Sequence, residues 1–63
     1  MRKVWCKKDY VEGDETYWTR GNWYRAVKHR DGTWSIRTNF GGWGAVGEPY
    51  MLDDFEEHFS EIA

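Results

Sequence analysis

The chain has 63 residues, a net charge of −2 and an aromatic content of 19%. That length admits one domain, residues 1–63, and excludes a Rossmann domain, an eight-stranded barrel with helices or any multidomain enzyme. Ordering so short a chain costs roughly 1.5 kcal/mol per residue, so a few large rings must supply most of the offsetting burial.

Val4 to Tyr10 opens with an apolar and aromatic patch in a basic frame. Strand alternation places Val4 and Cys6 on one face and Trp5 and Lys7 on the other. Residues 11–15 lack periodicity, contain Gly13 and read as a loop. Thr16 to Thr19 is a short β-rich run, and Arg20-Gly21-Asn22 turns the chain.

The clearest signal follows. Two β-rich runs, Asn22 to His29 and Thr33 to Thr38, flank Asp31-Gly32, the pairing expected at a hairpin turn. Trp34, Ile36 and Thr38 alternate with Ser35 and Arg37. In the first arm Tyr24 and Ala26 share one face, with Trp23, Arg25 and Val27 opposite, so large rings fall on both faces. Asn39 to Gly47 holds four of the seven glycines. It lacks the dinucleotide-binding spacing and reads as a turn followed by a short strand at Trp43 to Val46. From Met51, Leu52, Phe55, Phe59 and Ile62 take up helical spacing, and Asp53, Asp54, Glu56 and Glu57 suit a helix N-terminus. Four or five short strands and one short helix are therefore expected, with a core of Val4, Cys6, Tyr24, Ala26, Trp34, Ile36, Leu52, Phe55 and Phe59.

Charge is unevenly spread. Residues 1–30 carry eight Lys or Arg against four acids, and residues 31–63 carry Arg37 against seven acids. The simplest consequence is that the acidic C-terminal part folds over the basic strands and the two fields largely cancel. The start of the chain has no apolar h-region, no run suits a membrane span, and Cys6 is the only cysteine. These features predict a cytoplasmic protein without disulfides or a cysteine-based zinc site.

Catalytic signals are thin. Asp54 precedes His58 by four residues, a spacing that joins them on a helix face, but no nucleophile elbow accompanies them and two ligands do not make a metal site. Cys6 reads as a small buried hydrophobe. No catalytic, cofactor or metal residue is assigned, and the chain is expected not to be an enzyme.

The tryptophans carry the functional reading. Trp34, Phe55 and Phe59 occupy core register, whereas Trp18, Trp23 and Trp43 do not clearly do so. Exposed aromatics mark binding surfaces, and Trp, Tyr and Arg dominate interface hot spots. The expected surface is Trp18, Trp23, Arg25, Trp43 and Tyr50. Three partners suit it: a nucleic acid stacked on the rings with its phosphates on Lys8, Arg20, Arg25, Lys28 and Arg37, a methylated ammonium group held by rings boxed with an acid, or a protein surface. The protein partner makes the fewest demands. A homodimer that buries the spare rings is a further option.

The basic strand Val4-Trp5-Cys6-Lys7-Lys8-Asp9-Tyr10, then Thr19-Arg20-Gly21-Asn22-Trp23-Tyr24, Asp31-Gly32-Thr33-Trp34-Ser35-Ile36 and Asp53-Asp54-Phe55-Glu56-Glu57-His58-Phe59 together resemble the short SH3-like β-barrel proteins of bacteriophage and prophage genomes. The resemblance spans nearly the whole chain through short, degenerate motifs. It implies a mainly β, small SH3-like barrel of four to five antiparallel strands closed by a C-terminal helical turn. With the exposed rings, it implies a phage-encoded module in the host cytoplasm that binds and modulates a host protein; nucleic-acid binding through the basic N-terminal half is the alternative. The chain departs from the pattern at Ala26, where a larger aliphatic is common, and in the Gly/Trp-rich stretch 41–47, where adaptation to a partner is expected. Gly21-Asn22-Trp23-Tyr24-Arg25-Ala26-Val27 is locally similar to a Tudor-domain strand, which implies an aromatic cage from Trp18, Trp23 or Phe40.

Overall fold

The computed structural model describes residues 2–48, 50, 52 and 54–62. Seven strands and one helical turn follow in order: β1 (Arg2–Cys6), β2 (Tyr10–Glu12), β3 (Glu15–Trp18), β4 (Trp23–Lys28), β5 (Trp34–Arg37), β6 (Trp43–Val46), α1 (Phe55–His58) and β7 (Phe59–Ile62). They form a five-stranded sheet, ordered β6-β5-β4-β1-β7, and a separate β2–β3 hairpin. Neighbours in the large sheet are antiparallel. The sheet stays open, with β6 and β7 at its edges, so among the described residues the expected closed barrel is not formed.

The Asp31-Gly32 turn forms as the sequence indicates. Gly32 has φ 91°, in the region that favours glycine, and its N–H donates to the His29 carbonyl at 3.1 Å. Asp31 Oδ1 accepts from Thr33 N at 3.0 Å and from Thr33 Oγ1 at 2.7 Å, which holds the Asp31 carboxyl below its ordinary range. Trp43 to Val46 is the short strand expected there. Residues 11–15 differ from the expected loop. They form most of a hairpin around Gly13, because its φ of 62° reverses the chain tightly enough for Val11 to pair with Thr16.

The largest departure is at the C-terminal end. The expected helix reduces to one turn, capped by Asp54 Oδ1 accepting from Glu57 N at 3.3 Å. Phe59 is already extended, with φ −138° and ψ 156°. From Phe59 to Ile62 the chain pairs with β1, Cys6 opposite Phe59 and Lys3 opposite Ile62. So short a helix is marginal alone, whereas the free edge of β1 offers a full set of backbone partners. Phe59 is buried under either geometry, but two-residue alternation leaves Ile62 39% exposed. Met51 and Asp53, which the sequence places in this helix, lie outside the described residues.

Val4, Cys6, Tyr24, Ala26, Trp34, Ile36, Leu52 and Phe59 are buried as expected, joined by Trp18 and Val46. Phe55 is half-buried and stacks on Trp34, with ring centroids 4.2 Å apart and planes within 6°. Trp18 is the main correction. It is 2% exposed and lies edge-on to Phe59 with its indole Nε1 donating to the Arg37 carbonyl at 2.7 Å. Gly44 makes room for it: a Cβ there would lie 2.5 Å from Trp18 Cη2 and Cζ2. One glycine of the Gly/Trp-rich stretch, Gly44, is thus required for packing rather than for a partner.

A polar hub ties the β2–β3 hairpin to the sheet. Tyr24 OH accepts from Thr19 N and donates to Asn39 Oδ1, both at 2.7 Å. Asn39 Nδ2 donates to the Thr16 carbonyl and to Thr19 Oγ1, both at 3.0 Å. Each member of this partly buried cluster is satisfied, so it locates the hairpin without an unpaired polar group.

Candidate functional site

The strands that bury Val4, Cys6, Tyr24, Ala26, Trp34 and Ile36 must turn their alternate residues outward. On β1 these are Lys3 and Trp5, on β4 Trp23, Arg25 and Val27, on β5 Ser35 and Arg37, on β6 Trp43 and Ala45, and on β7 Ser60 and Ile62. Registers bring them together: Trp5 faces Trp23, Lys3 faces Arg25, and Arg37 faces Trp43. The outcome is one sheet face on which three tryptophans alternate with three cations. No strand position on it is a carboxylate.

The rings are half-exposed, Trp5 at 44%, Trp23 at 48% and Trp43 at 46%. Lys3 Nζ lies 5.0 Å from the Trp23 ring centre and the Arg25 guanidinium 5.8 Å from it. The Arg37 guanidinium lies 4.6 Å from the Trp43 ring centre and also donates to the Gly41 carbonyl, so two contacts fix it. Such pairs contribute about 0.5–1 kcal/mol each at exposed sites, enough to orient side chains that would otherwise sample many rotamers. Beside Trp5, a depression of about 510 Å³ is bordered by Lys7, Arg20 and Gly21.

The expected binding residues divide accordingly. Trp23, Arg25 and Trp43 share this face. Trp18 does not belong to it and is withdrawn from the surface, because its ring fills the core over Gly44. Tyr50 is exposed but sits in the loop after β6, where its N–H donates to the Gly47 carbonyl at 2.8 Å, off the strand face. Trp5 and Lys3 were missed as site residues, whereas Arg37 is one of the cations the sequence offered for a phosphate backbone and stands on this face beside Trp43. The signal for Trp5 and Lys3 was present in strand parity, since burying Val4 and Cys6 turns both outward. The three rings proposed for an aromatic cage do not box a common site. Trp18 is internal, Trp23 is on the outer face, and Phe40 packs edge-on to Tyr17 at 5.0 Å.

Folding the acidic end over the basic strands neutralises only part of the charge. Arg2 pairs with Glu61, and Lys8 Nζ pairs with Glu57 at 2.7 Å, which lowers the Glu57 carboxyl. Among the described residues Lys3, Arg25 and Arg37 have no ion-pair partner. The expected cancellation therefore does not reach the outer face.

The chemical candidates stay apart. Asp54 caps α1, and His58 Nδ1 is buried without a hydrogen-bond partner. His29 Nε2 lies 2.8 Å from Ser35 Oγ in an exposed setting, with the nearby Asp31 carboxylate engaged by Thr33. The Cys6 thiol donates to the Lys8 carbonyl at 2.9 Å, and burial pushes its pKa up, away from the reactive thiolate. Among the described residues no three His, Cys, Asp or Glu gather at metal-binding distance, and no helix is long and apolar enough to cross a membrane. A larger cleft of about 630 Å³ lies over Trp34 and Phe55, and its lining is mixed in sign with acids in the majority, Asp31, Glu48, Asp54, Glu56 and Glu61 against Lys7 and Lys28.

No protein-family model, curated protein or solved structure matches the chain.

Proposed function

We propose that the chain is a non-enzymatic binding module of SH3-like architecture that recognises a negatively charged partner on the outer face of its large sheet. The strand order β6-β5-β4-β1-β7, a hairpin inserted between β1 and β4 and a helical turn ahead of the last strand support the architectural part. The functional part rests on one observation: Trp5, Trp23 and Trp43 are half-exposed among Lys3, Arg25 and Arg37, with no carboxylate at a strand position of that face. Rings exposed in a group and cations oriented over them suit recognition better than solubility, because soluble monomers rarely leave such patches uncovered.

The likeness to phage-encoded barrels makes a bacterial lysate the material to search. Immobilised wild-type chain is expected to retain a partner at about 50 mM salt and release it by about 200 mM, as contacts dominated by opposite charge do. The folded double variant Arg25→Glu/Arg37→Glu is expected to retain none of it. Retention of the same partner by that variant would place recognition elsewhere on the molecule.

A further inference from the structure

We propose that the partner of the outer face is single-stranded nucleic acid, its bases stacking on Trp5, Trp23 and Trp43 and its phosphates meeting Lys3, Arg25 and Arg37. The inference rests on the reading of this face as the binding surface and adds the chemistry of the ligand.

Each ring is accompanied by a cation. Trp23 has Lys3 and Arg25 at 5.0 and 5.8 Å, and Trp43 has Arg37 at 4.6 Å. Trp5 borders the depression that Lys7 and Arg20 line. A ring and a cation side by side are what one nucleotide requires, a π-face for the base and a charge for the phosphate. The units are also spread. Trp5 and Trp23 face each other on adjacent strands, about 4.5–5.5 Å apart at Cβ, and Trp43 lies two strands beyond Trp23, about 10 Å across the sheet. Rings set out along the sheet suit successive bases of an extended strand. They do not suit a duplex, whose bases are already stacked and turned inward.

An acidic protein segment fits the same charge less well. The centre of a protein interface is depleted in lysine and built around apolar anchors. Here Lys3 stands among the rings, and the aliphatic residues of the face lie outside the group of rings and cations, Val27 and Ala45 on the next cross-strand row and Ile62 on the edge strand β7. Among the described residues, no acid occupies a strand position of this face. Glu12 and Glu15 lie on the β2–β3 hairpin, and Glu57 and Glu61 are paired with Lys8 and Arg2.

The test is a fluorescence and anisotropy titration of the full chain with a 20-mer of dT, a 20-mer of U, a 20-base-pair DNA duplex and a poly-glutamate peptide. Both single strands are expected to bind with quenching of tryptophan emission, and the stronger of the two tells DNA from RNA as the source. The duplex is expected to bind more weakly at the same salt. With three to five phosphates engaged, the slope of log K against log salt is expected at about −2 to −3.5, a loss of roughly 20- to 130-fold between 50 and 200 mM. Trp23→Ala or Trp43→Ala, each checked for fold by circular dichroism, should weaken binding roughly 5- to 150-fold. Arg25→Glu/Arg37→Glu should make the slope shallower by about 1.4; this variant carries the test if a tryptophan variant unfolds. Poly-glutamate binding that these variants abolish, without single-strand binding, overturns the nucleic-acid assignment and leaves the surface standing. Single-strand binding untouched by every face variant overturns both. Binding of neither probe overturns the inference.

Discussion

Gly44→Ala should be among the most damaging single-methyl changes available in this chain. The added Cβ would lie 2.5 Å from Trp18 Cη2 and Cζ2, where carbon atoms prefer about 3.5–4.0 Å, so ring or strand must move by about 1 Å. Neither moves freely. The ring is tied at one edge by its 2.7 Å hydrogen bond to the Arg37 carbonyl and packs edge-on against Phe59. The strand is held by the pairing of Gly44 with Ile36. Overpacking of this kind costs about 1–3 kcal/mol, and loss of the indole hydrogen bond adds about 0.5–1.5. Against that, alanine recovers roughly 0.5–1 kcal/mol by restricting the unfolded chain. The net loss spans about 0.5–4 kcal/mol and centres on about 2, which corresponds to roughly 8–16 °C in Tm for a domain this small.

Gly42→Ala is the internal control, because its Cβ would meet only ordinary contacts at 3.5 Å and its φ is not left-handed. It should be neutral or slightly stabilising. Urea and thermal unfolding followed by circular dichroism measure both. In a Trp18→Phe background the clashing ring atoms are gone, and the cost of Gly44→Ala should fall below about 1 kcal/mol, a coupling visible in a double-mutant cycle. Equal effects of Gly42→Ala and Gly44→Ala, or no coupling to Trp18, would refute the packing argument.

Two further outcomes are expected. Tyr24→Phe leaves Thr19 N and Asn39 Oδ1 without their shared partner and should cost about 1–3 kcal/mol in urea unfolding. Combined with Asn39→Ala it should cost less than the sum, since both act in one network, and strict additivity would contradict this. Cys6 should label slowly with a thiol reagent when folded and rapidly in urea. Because folding raises its pKa above the usual 9.0, its contribution to stability is complete below that value and lost as pH rises through the folded value. The urea midpoint of the wild type should therefore fall more steeply above pH 9 than that of Cys6→Ala, and parallel slopes would contradict the assignment.

Local pattern was enough to locate β4, its turn, β5 and β6, because each depends on two-residue alternation and on glycine at a reversing position. Parity alone likewise divided Tyr24 and Ala26 from Trp23 and Arg25, and so exposed part of the outer face. The end of the chain was ambiguous at that level. Phe55 and Phe59 are four apart and satisfy a helix, yet Phe59 is also an inward residue of a strand. Periodicity over so few residues does not separate the two, and the vacant edge of β1 decides.

Trp18 shows the same limit more sharply. Its run Thr16-Tyr17-Trp18-Thr19 is too short for alternation to show which ring faces inward. The residue that admits it, Gly44, is far along the chain and reads locally as part of a turn-rich stretch. The aromatic content that marked this small domain was thus visible from composition, as was the need for rings in its core. Which rings fill the core and which stand outside was settled by tertiary structure. A ring is buried only where the opposing strand leaves space, and Gly44 leaves it for Trp18, while the register of β1, β4, β5 and β6 gathers Trp5, Trp23 and Trp43 on the face left open.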